Sequence, residues 1–286
     1  MNNYVILTDS ASDLKPEFLS ELGVKYVSLS FVFEGKDKSY KNFDLAPCEF
    51  YDEMRKGKSA KTSAANVADF TDFFKGELDR GNDILYLGFS SGLSTTFNSA
   101  CIAAEELCDA YPERTVICID TLAASAGFGL MVWLAAKEKE KGASLTEVAD
   151  FVKNTLPHLA HWFTVDDLEY LKRGGRVSPT VAFVGGILGI KPVLHVDDEG
   201  HLTKVTTARG RKASLAALAD RLCDTVLPDS PVWISHGDCE DDARLLADMI
   251  FEKTGKEVSL ITDVGPVIGA HSGPGTMALF FLADKR

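Results

Sequence analysis

Apolar and polar positions change their period several times along the chain. "YVILTD" (4–9), "DILYLGFS" (83–90) and "TVICIDT" (115–121) are short, nearly unbroken runs of apolar and β-branched residues. That is the pattern of strands buried on both faces. Helical patterns cover residues 66–80, 95–110 and 122–142, and Ser10 and Asp13 are cap-type residues ahead of a helix with Pro16 near its start. Residues 24–35 are β-rich. Alternating strand and helix predicts a mostly parallel sheet with helices on both faces.

The second half follows a different pattern. A helix at 144–158 leads into "HWFTV" (161–165), and residues 191–208 read as two strands around an Asp-Glu-Gly turn, a hairpin signal. Helices at 211–226 and 239–254 then alternate with the strands "PVWISHG", "EVSLITDVG" and "TMALFFLA". A hairpin combined with crossovers predicts a mixed sheet. A boundary around Pro157 divides the chain into domains 1–158 and 159–286. There is no internal repeat, long linker or low-complexity tract.

Composition narrows the classes. The 286 residues, 45% hydrophobic and 25% charged, are enough for a sizeable core in a globular protein. A net charge of −12, from 42 acidic against 30 basic residues, excludes a broad nucleic-acid surface. The six cysteines are scattered without a C-x-x-C pair, which predicts reduced thiols and a cytoplasmic location. Cys101 and Cys108 fall on one helix face. "MNNYVILTDS" has no basic leader region and enters a strand at once. "LAASAGFGLMVWLAA" (122–136) is shorter than the roughly 18 residues of a membrane span and reads as a buried helix.

Three polar stretches belong at the carboxyl edge of the parallel sheet, where ligands bind in such folds. They are "TDSAS" (8–12), "KTSAAN" (61–66) and "SSGLSTT" (90–96). The last two place Thr62, Ser63, Ser94 and Thr95 near helix starts, where free amides and the helix dipole favour an anion. Hydroxyls there donate to a carboxylate or phosphate, or simply cap the helix. Gly92 keeps the backbone approachable. "GFSSG" (88–92) also fits the G-x-S-x-G elbow of serine hydrolases, with Ser90 as nucleophile and Asp238 or Asp263 followed by His271 in the required order. Against this stand the surplus of hydroxyls and the lack of an upstream H-G-G-G stretch.

"GPVIGAHSGPGT" (265–276) reads as a tight glycine-rich loop presenting His271 to an anion. His158 and His161 form H-x-x-H without the acidic or cysteine partners of a zinc site. "LKRGGRVS" (171–178) offers Lys172, Arg173 and Arg176 either to a phosphate or acidic partner, or to solvent as a basic turn. Neither it nor "GGILGIKP" (185–192) has the context of a dinucleotide loop, and no Walker sequence is present.

Together "TDSASDL", "KTSAAN", "SSGLSTTFNSA", "LEYLKRGGRVS", "KPVL" and "VIGAHSGPGT" resemble the DegV family, in its order and over essentially the whole chain. The resemblance implies two α/β domains, a three-layer α/β/α parallel sheet followed by a smaller two-layer mixed sheet. It implies a protein that is not itself an enzyme and binds a long-chain fatty acid such as palmitate or stearate, with no cofactor or metal. Thr62, Ser94 and His271 would take the carboxylate, with Asp9, Ser10, Ser63, Ser91, Gly92 and Thr95 around them. A separate ATP-dependent fatty-acid kinase subunit would convert that carboxylate to an acyl phosphate. Arg173 and Arg209 match positions linked to partner or transient membrane contact. Thr95 stands where the family usually has glycine, and Ala65 where proline is common. The small residues Ala123, Ala124, Ala126, Gly127 and Gly129 leave room for an acyl tunnel beside Phe128 and Met131, or for close helix packing.

Overall fold

A computed structural model describes residues 3–177 and 189–286. Ser178 and the first half of "GGILGIKP" lie outside the described residues. Four parallel strands form the first sheet: β1 (Tyr4–Asp9), β2 (Lys25–Val27), β6 (Asp83–Gly88) and β7 (Val116–Asp120), in the order β2-β1-β6-β7. Alternate residues of β6 enter different cores, which is what a strand buried on both faces requires. Ile84 and Tyr86 pack with Phe70 and Phe74 of α3 (Val67–Leu78) and Ala100 and Ala103 of α4 (Thr96–Cys108). Leu85 and Leu87 pack with Val132 of α5 (Ser125–Glu140) and Val148 and Val152 of α6 (Leu145–Thr155). This is the three-layer arrangement expected.

The second sheet has the order β10-β9-β8-β13-β11-β12. Its strands are β8 (Leu159–Thr164), β9 (Ile190–Val196), β10 (Leu202–Arg209), β11 (Val232–His236), β12 (Leu260–Asp263) and β13 (Met277–Leu282). Only β11 and β12 pair in parallel. One face is covered by α8 (Arg211–Thr225) and α9 (Glu240–Thr254). The sheet is wider than the first, six strands against four, although it is built from the shorter stretch of chain.

The other face meets the first domain through α5. Ten residues of this helix are buried, and its core joins Leu85 and Leu87 of the first sheet to Phe163, Trp233 and Phe280 of the second. A helix apolar on every side belongs between two layers, which explains the 122–136 stretch. Among the described residues no helix is long and apolar enough to cross a membrane. Leu159 opens β8, the first strand of the second sheet in chain order, and the hydrophobic core runs across that point.

One element departs from expectation. A three-stranded antiparallel sheet, β3 (Ser30–Phe33), β4 (Ser39–Lys41) and β5 (Ala60–Ser63), forms beside α2 (Pro47–Arg55). Phe31, Phe33, Tyr40 and Phe50 pack their rings together over it, with centroids 5.1–6.2 Å apart. The sheet carries Thr62.

Candidate functional site

A cavity of about 470 Å³ lies between the parallel-sheet loops and the inner face of the second sheet. Its polar end is built from three places far apart in sequence. Thr62 and Ser63 lie on β5, four and three residues before the α3 cap Asn66, rather than at a helix start. Thr62 is held opposite Phe31 in the strand register. Ser63 is exposed and does not border the cavity.

His271 was expected on a loop. It sits instead in the last turn of a helix, α10 (Pro266–Ser272). Pro266 suits the first turn of that helix, because its missing amide would be unpaired there in any case. Tertiary bonds hold the helix in place. Tyr51 Oη donates to the Val264 carbonyl at 2.9 Å. The Asn42 side chain accepts from the Val267 amide at 2.9 Å and donates to the Ser10 carbonyl at 3.0 Å.

Thr62 Oγ1 and His271 Nε2 are 2.8 Å apart. Burial, with Arg176 nearby, pushes the His271 pKa down to about 4, so the ring is neutral at pH 7. When the neutral ring carries its proton on Nε2 it donates to Thr62, whose own hydroxyl hydrogen is then free for an anion. Nδ1 is buried and unpartnered among the described residues. It fits against Gly174, where a Cβ would come within 2.2 Å.

Ser94 precedes α4. Its Oγ accepts from the Thr96 amide at 3.2 Å and shares a 2.9 Å bond with Thr96 Oγ1. The hydroxyl therefore bonds the first turn of the helix while bordering the cavity. Thr95 takes the cap position in a helical conformation, makes no side-chain cap bond and is exposed at the cavity edge. Free amides at this helix end add to the attraction for an anion.

Arg176, grouped from sequence with Arg173 and Arg209, turns inward. Its Nε donates to the Leu93 carbonyl at 3.1 Å, its Nη1 bonds the Gly174 carbonyl, and it lines the cavity beside His271. Arg173 points outward, its guanidinium 4.8 Å from the Tyr170 ring centroid. Arg209 is exposed at the end of β10. Ser91 also lines the cavity.

The remaining neighbours expected around the head group are structural. Asp9 is buried and accepts from Tyr86 Oη at 2.8 Å and from the Phe89 and Ala11 amides at 3.0 and 2.9 Å. Burial raises its pKa to about 6 against the pull of those bonds. Ser10 Oγ accepts from the Leu29 amide at 2.9 Å. Gly92 packs under the β9–β10 turn, where a Cβ would lie 3.0 Å from the Glu199 and Gly200 carbonyls. Its small size serves that packing rather than access to a ligand.

The hydrolase geometry is not assembled. Ser90 is fully buried; its Oγ donates to the Gly200 carbonyl at 2.9 Å and accepts from the Gly92 amide at 3.2 Å. Asp238 pairs with Arg55, Asp263 with Lys15, and the His271 ring is bonded to Thr62. His158 Nδ1 bonds the Ala283 carbonyl at 2.9 Å. Among the described residues no histidine, cysteine or acid cluster could hold a metal ion.

The apolar wall also corrects the sequence reading. Ala123, Ala126, Phe128 and Met131 are fully buried in the α5 core, and Gly129 packs on the Ser12 carbonyl. Of the proposed tunnel residues only Ala124 borders the cavity. Leu29, Phe89 and Leu93 line it from the first domain, and Phe163, Val196, Leu202, Ala278 and Phe280 from the second sheet. No alternation marks these positions, since β13 is an unbroken apolar run; which face meets a cavity depends on how the two domains pack.

Comparison with known proteins agrees with this architecture. The profile of the DegV family of uncharacterised proteins matches residues 3–284. A DegV domain-containing protein of Clostridium perfringens is 42% identical over 290 aligned positions, covering 100% of this chain and 99% of the relative. A DegV lipid-binding protein of Thermotoga maritima superimposes with a TM-score of 0.85 at 30% identity, with 99% of each chain covered. A DegV protein of Thermus thermophilus, described by its fatty-acid binding, gives 0.86 at 30% identity over 98% of this chain and 99% of its own. The chain belongs to the DegV family.

Proposed function

We propose that this protein binds one long-chain fatty acid, with the carboxylate at the Thr62, Ser94 and His271 end and the tail along the apolar wall. The observation that carries the reading is a single cavity with both kinds of surface. Thr62, Ser94, the neutral His271 imidazole and Arg176 come together on its lining, and its largest lining side chains are aliphatic and aromatic. The Thermotoga and Thermus proteins, similar over their whole length, are described as binding lipid and fatty acid. Burying a tail of about 14 methylenes offers roughly 11 kcal/mol gross at about 0.8 each, from which association and ordering costs are subtracted.

The resemblance extends the proposal to a role: the protein presents the bound carboxylate to an ATP-dependent kinase subunit that makes the acyl phosphate. The outward-facing Arg173 and Arg209 are the residues assigned to that partner or to a membrane surface. Mass spectrometry of protein purified natively and then denatured should release a stoichiometric C14–C18 acid. The absence of both bound lipid and uptake on titration would overturn the reading. Acyl phosphate formation with a kinase subunit, weakened by Arg173→Ala and Arg209→Ala, tests the role separately.

A further inference from the structure

Two thiols far from each other in sequence are brought together by the fold and take no part in the site described above. Cys118 lies on β7 opposite Tyr86 of β6, and it packs on the core that Tyr86 shares with Phe70, Phe74 and Ala100. Cys101 follows Ala100 on α4 and stands one turn after Phe97, which packs on the same core. α4 packs against β7, and there the two cysteines meet: the Cys118 thiol donates a hydrogen bond to the Cys101 sulfur. β7 is the outer strand of its sheet, and both cysteines keep part of their surface exposed. The other four cysteines are placed differently. Cys48, Cys108 and Cys223 are exposed, with the Cys108 thiol 3.8 Å from the Asp109 carboxylate. Cys239 has Arg211 Nη2 and the Thr276 carbonyl at 3.2 and 3.4 Å.

Contact gives the two thiols unequal roles. The hydrogen bond from Cys118 lowers the Cys101 pKa and raises that of Cys118, to which burial adds. A thiolate attacks peroxide and a thiol does not, so Cys101 is the attacking sulfur and Cys118 the resolving one. We propose that Cys101 and Cys118 form a reversible redox site, in which a hydroperoxide oxidises the pair to a disulfide joining α4 to β7 and a dithiol reductant restores it. The Cys101 thiolate attacks one peroxide oxygen and the O–O bond breaks. Cys101 becomes a sulfenic acid, and the other oxygen leaves with the proton Cys101 gave up, as water or, from an organic hydroperoxide, as an alcohol. The Cys118 sulfur then attacks the Cys101 sulfur, the S–O bond breaks, and hydroxide leaves with the Cys118 proton as water. Two electrons pass from the thiols to the peroxide. Neither cysteine borders the cavity, so the proposal stands apart from the fatty-acid reading.

The test treats the reduced protein with hydrogen peroxide, blocks the remaining thiols with N-ethylmaleimide and maps the peptides by mass spectrometry. A linked Cys101–Cys118 pair should appear, about 2 Da lighter than the two free peptides together, and dithiothreitol should release it. Cys101 should be consumed at least about tenfold faster than the exposed Cys108 of the same helix. Cys118→Ser should stop the reaction at the Cys101 sulfenic acid, captured with dimedone, and Cys101→Ser should leave Cys118 unmodified. The wild-type map decides the matter even if either variant fails to fold. Oxidation of Cys108 as fast as Cys101, loss of Cys101 without the linked pair, or a linkage that forms only in urea overturns the proposal.

Discussion

The two ends of the cavity are held by different forces. At the polar end, few atoms are fixed by directional bonds: Thr62 to His271, Ser94 to Thr96, Arg176 to the Leu93 carbonyl. At the apolar end, Phe163, Val196, Leu202, Ala278 and Phe280 present area without direction. Area contributes affinity in proportion to what is buried. A hydrogen bond exchanged with water contributes only about 0.5–1.5 kcal/mol net. The tail should therefore supply the strength of binding and the polar end its orientation, so damage to the two ends should differ in size and in kind.

Filling the apolar end should have the largest effect. Ala278 lies on β13 opposite Phe163, with its side chain at the cavity. Ala278→Phe directs a ring into space the tail would occupy, and fatty-acid uptake should fall at least about a hundredfold, the equivalent of several buried methylenes. Titration with a fluorescent fatty acid measures it, alongside a thermal melt to confirm folding. Wild-type affinity in a folded variant would mean that the tail runs elsewhere. At the polar end, Thr62→Ala with Ser94→Ala should weaken binding by about ten- to a hundredfold, more than either single change. A double variant as tight as the wild type would remove the carboxylate from this end.

A smaller, indirect effect is expected from Gly174→Ala. The added Cβ would come 2.2 Å from His271 Nδ1, so the ring must move and its bond to Thr62 lengthens or breaks. Affinity should drop severalfold with the tail wall untouched. Isothermal titration with acids of two chain lengths separates the cases: the methylene increment should stay the same while both affinities fall. A changed increment would show that the polar end also shapes the tail path.

These contrasts follow what the sequence made legible. The parallel half was readable because its strands are unbroken apolar runs and its helices carry local signals, such as the Asn66–Asp69 capping box. The small sheet was not readable. Ser39–Lys41 and Ala60–Ser63 are three and four residues long and mostly polar, so neither period nor propensity marks them, and Thr62 was assigned to a helix start. Helix α10 contains Gly269 and follows Gly265, a composition that reads as a loop. Tyr51 and Asn42, more than two hundred residues away in sequence, hold its start. For α5, small residues predict close packing and open space equally well; the structure shows mostly packing.

pH separates the polar end from the core behind it. His271 stays neutral down to about 4 in the fold, against an ordinary value of 6.5. Between these values the unfolded chain binds more protons, so the contribution of His271 to stability is lost as pH falls through that window. Asp13, buried and hydrogen-bonded to Ser125, is raised from 3.8 to about 7 by burial. There the native state binds more protons, and its contribution is lost as pH rises from about 4 to 7. Urea unfolding across this range should show His271→Gln gaining on the wild type toward acid and Asp13→Asn gaining toward neutral pH. Each gain is on the order of a few kcal/mol. Parallel pH profiles for the two variants would contradict the assignment.

The smallest effect is expected at Thr95, where the resemblance read from the sequence implies a glycine. Its hydroxyl makes no cap bond, its φ of −79° suits any residue, and Ser94 already satisfies the Thr96 amide. Nothing at the position demands glycine, and nothing bonded there is lost when threonine is removed. Thr95→Gly should change fatty-acid affinity less than about twofold and stability by about 1 kcal/mol or less, the scale of the glycine backbone penalty. A tenfold loss would mean that the exposed hydroxyl reaches the carboxylate and belongs with Thr62 and Ser94. A tenfold gain would mean that its methyl group crowds the head group at the cavity edge. The polar end would then be limited by space as well as by direction, and the division of labour between the two ends would need redrawing at this residue.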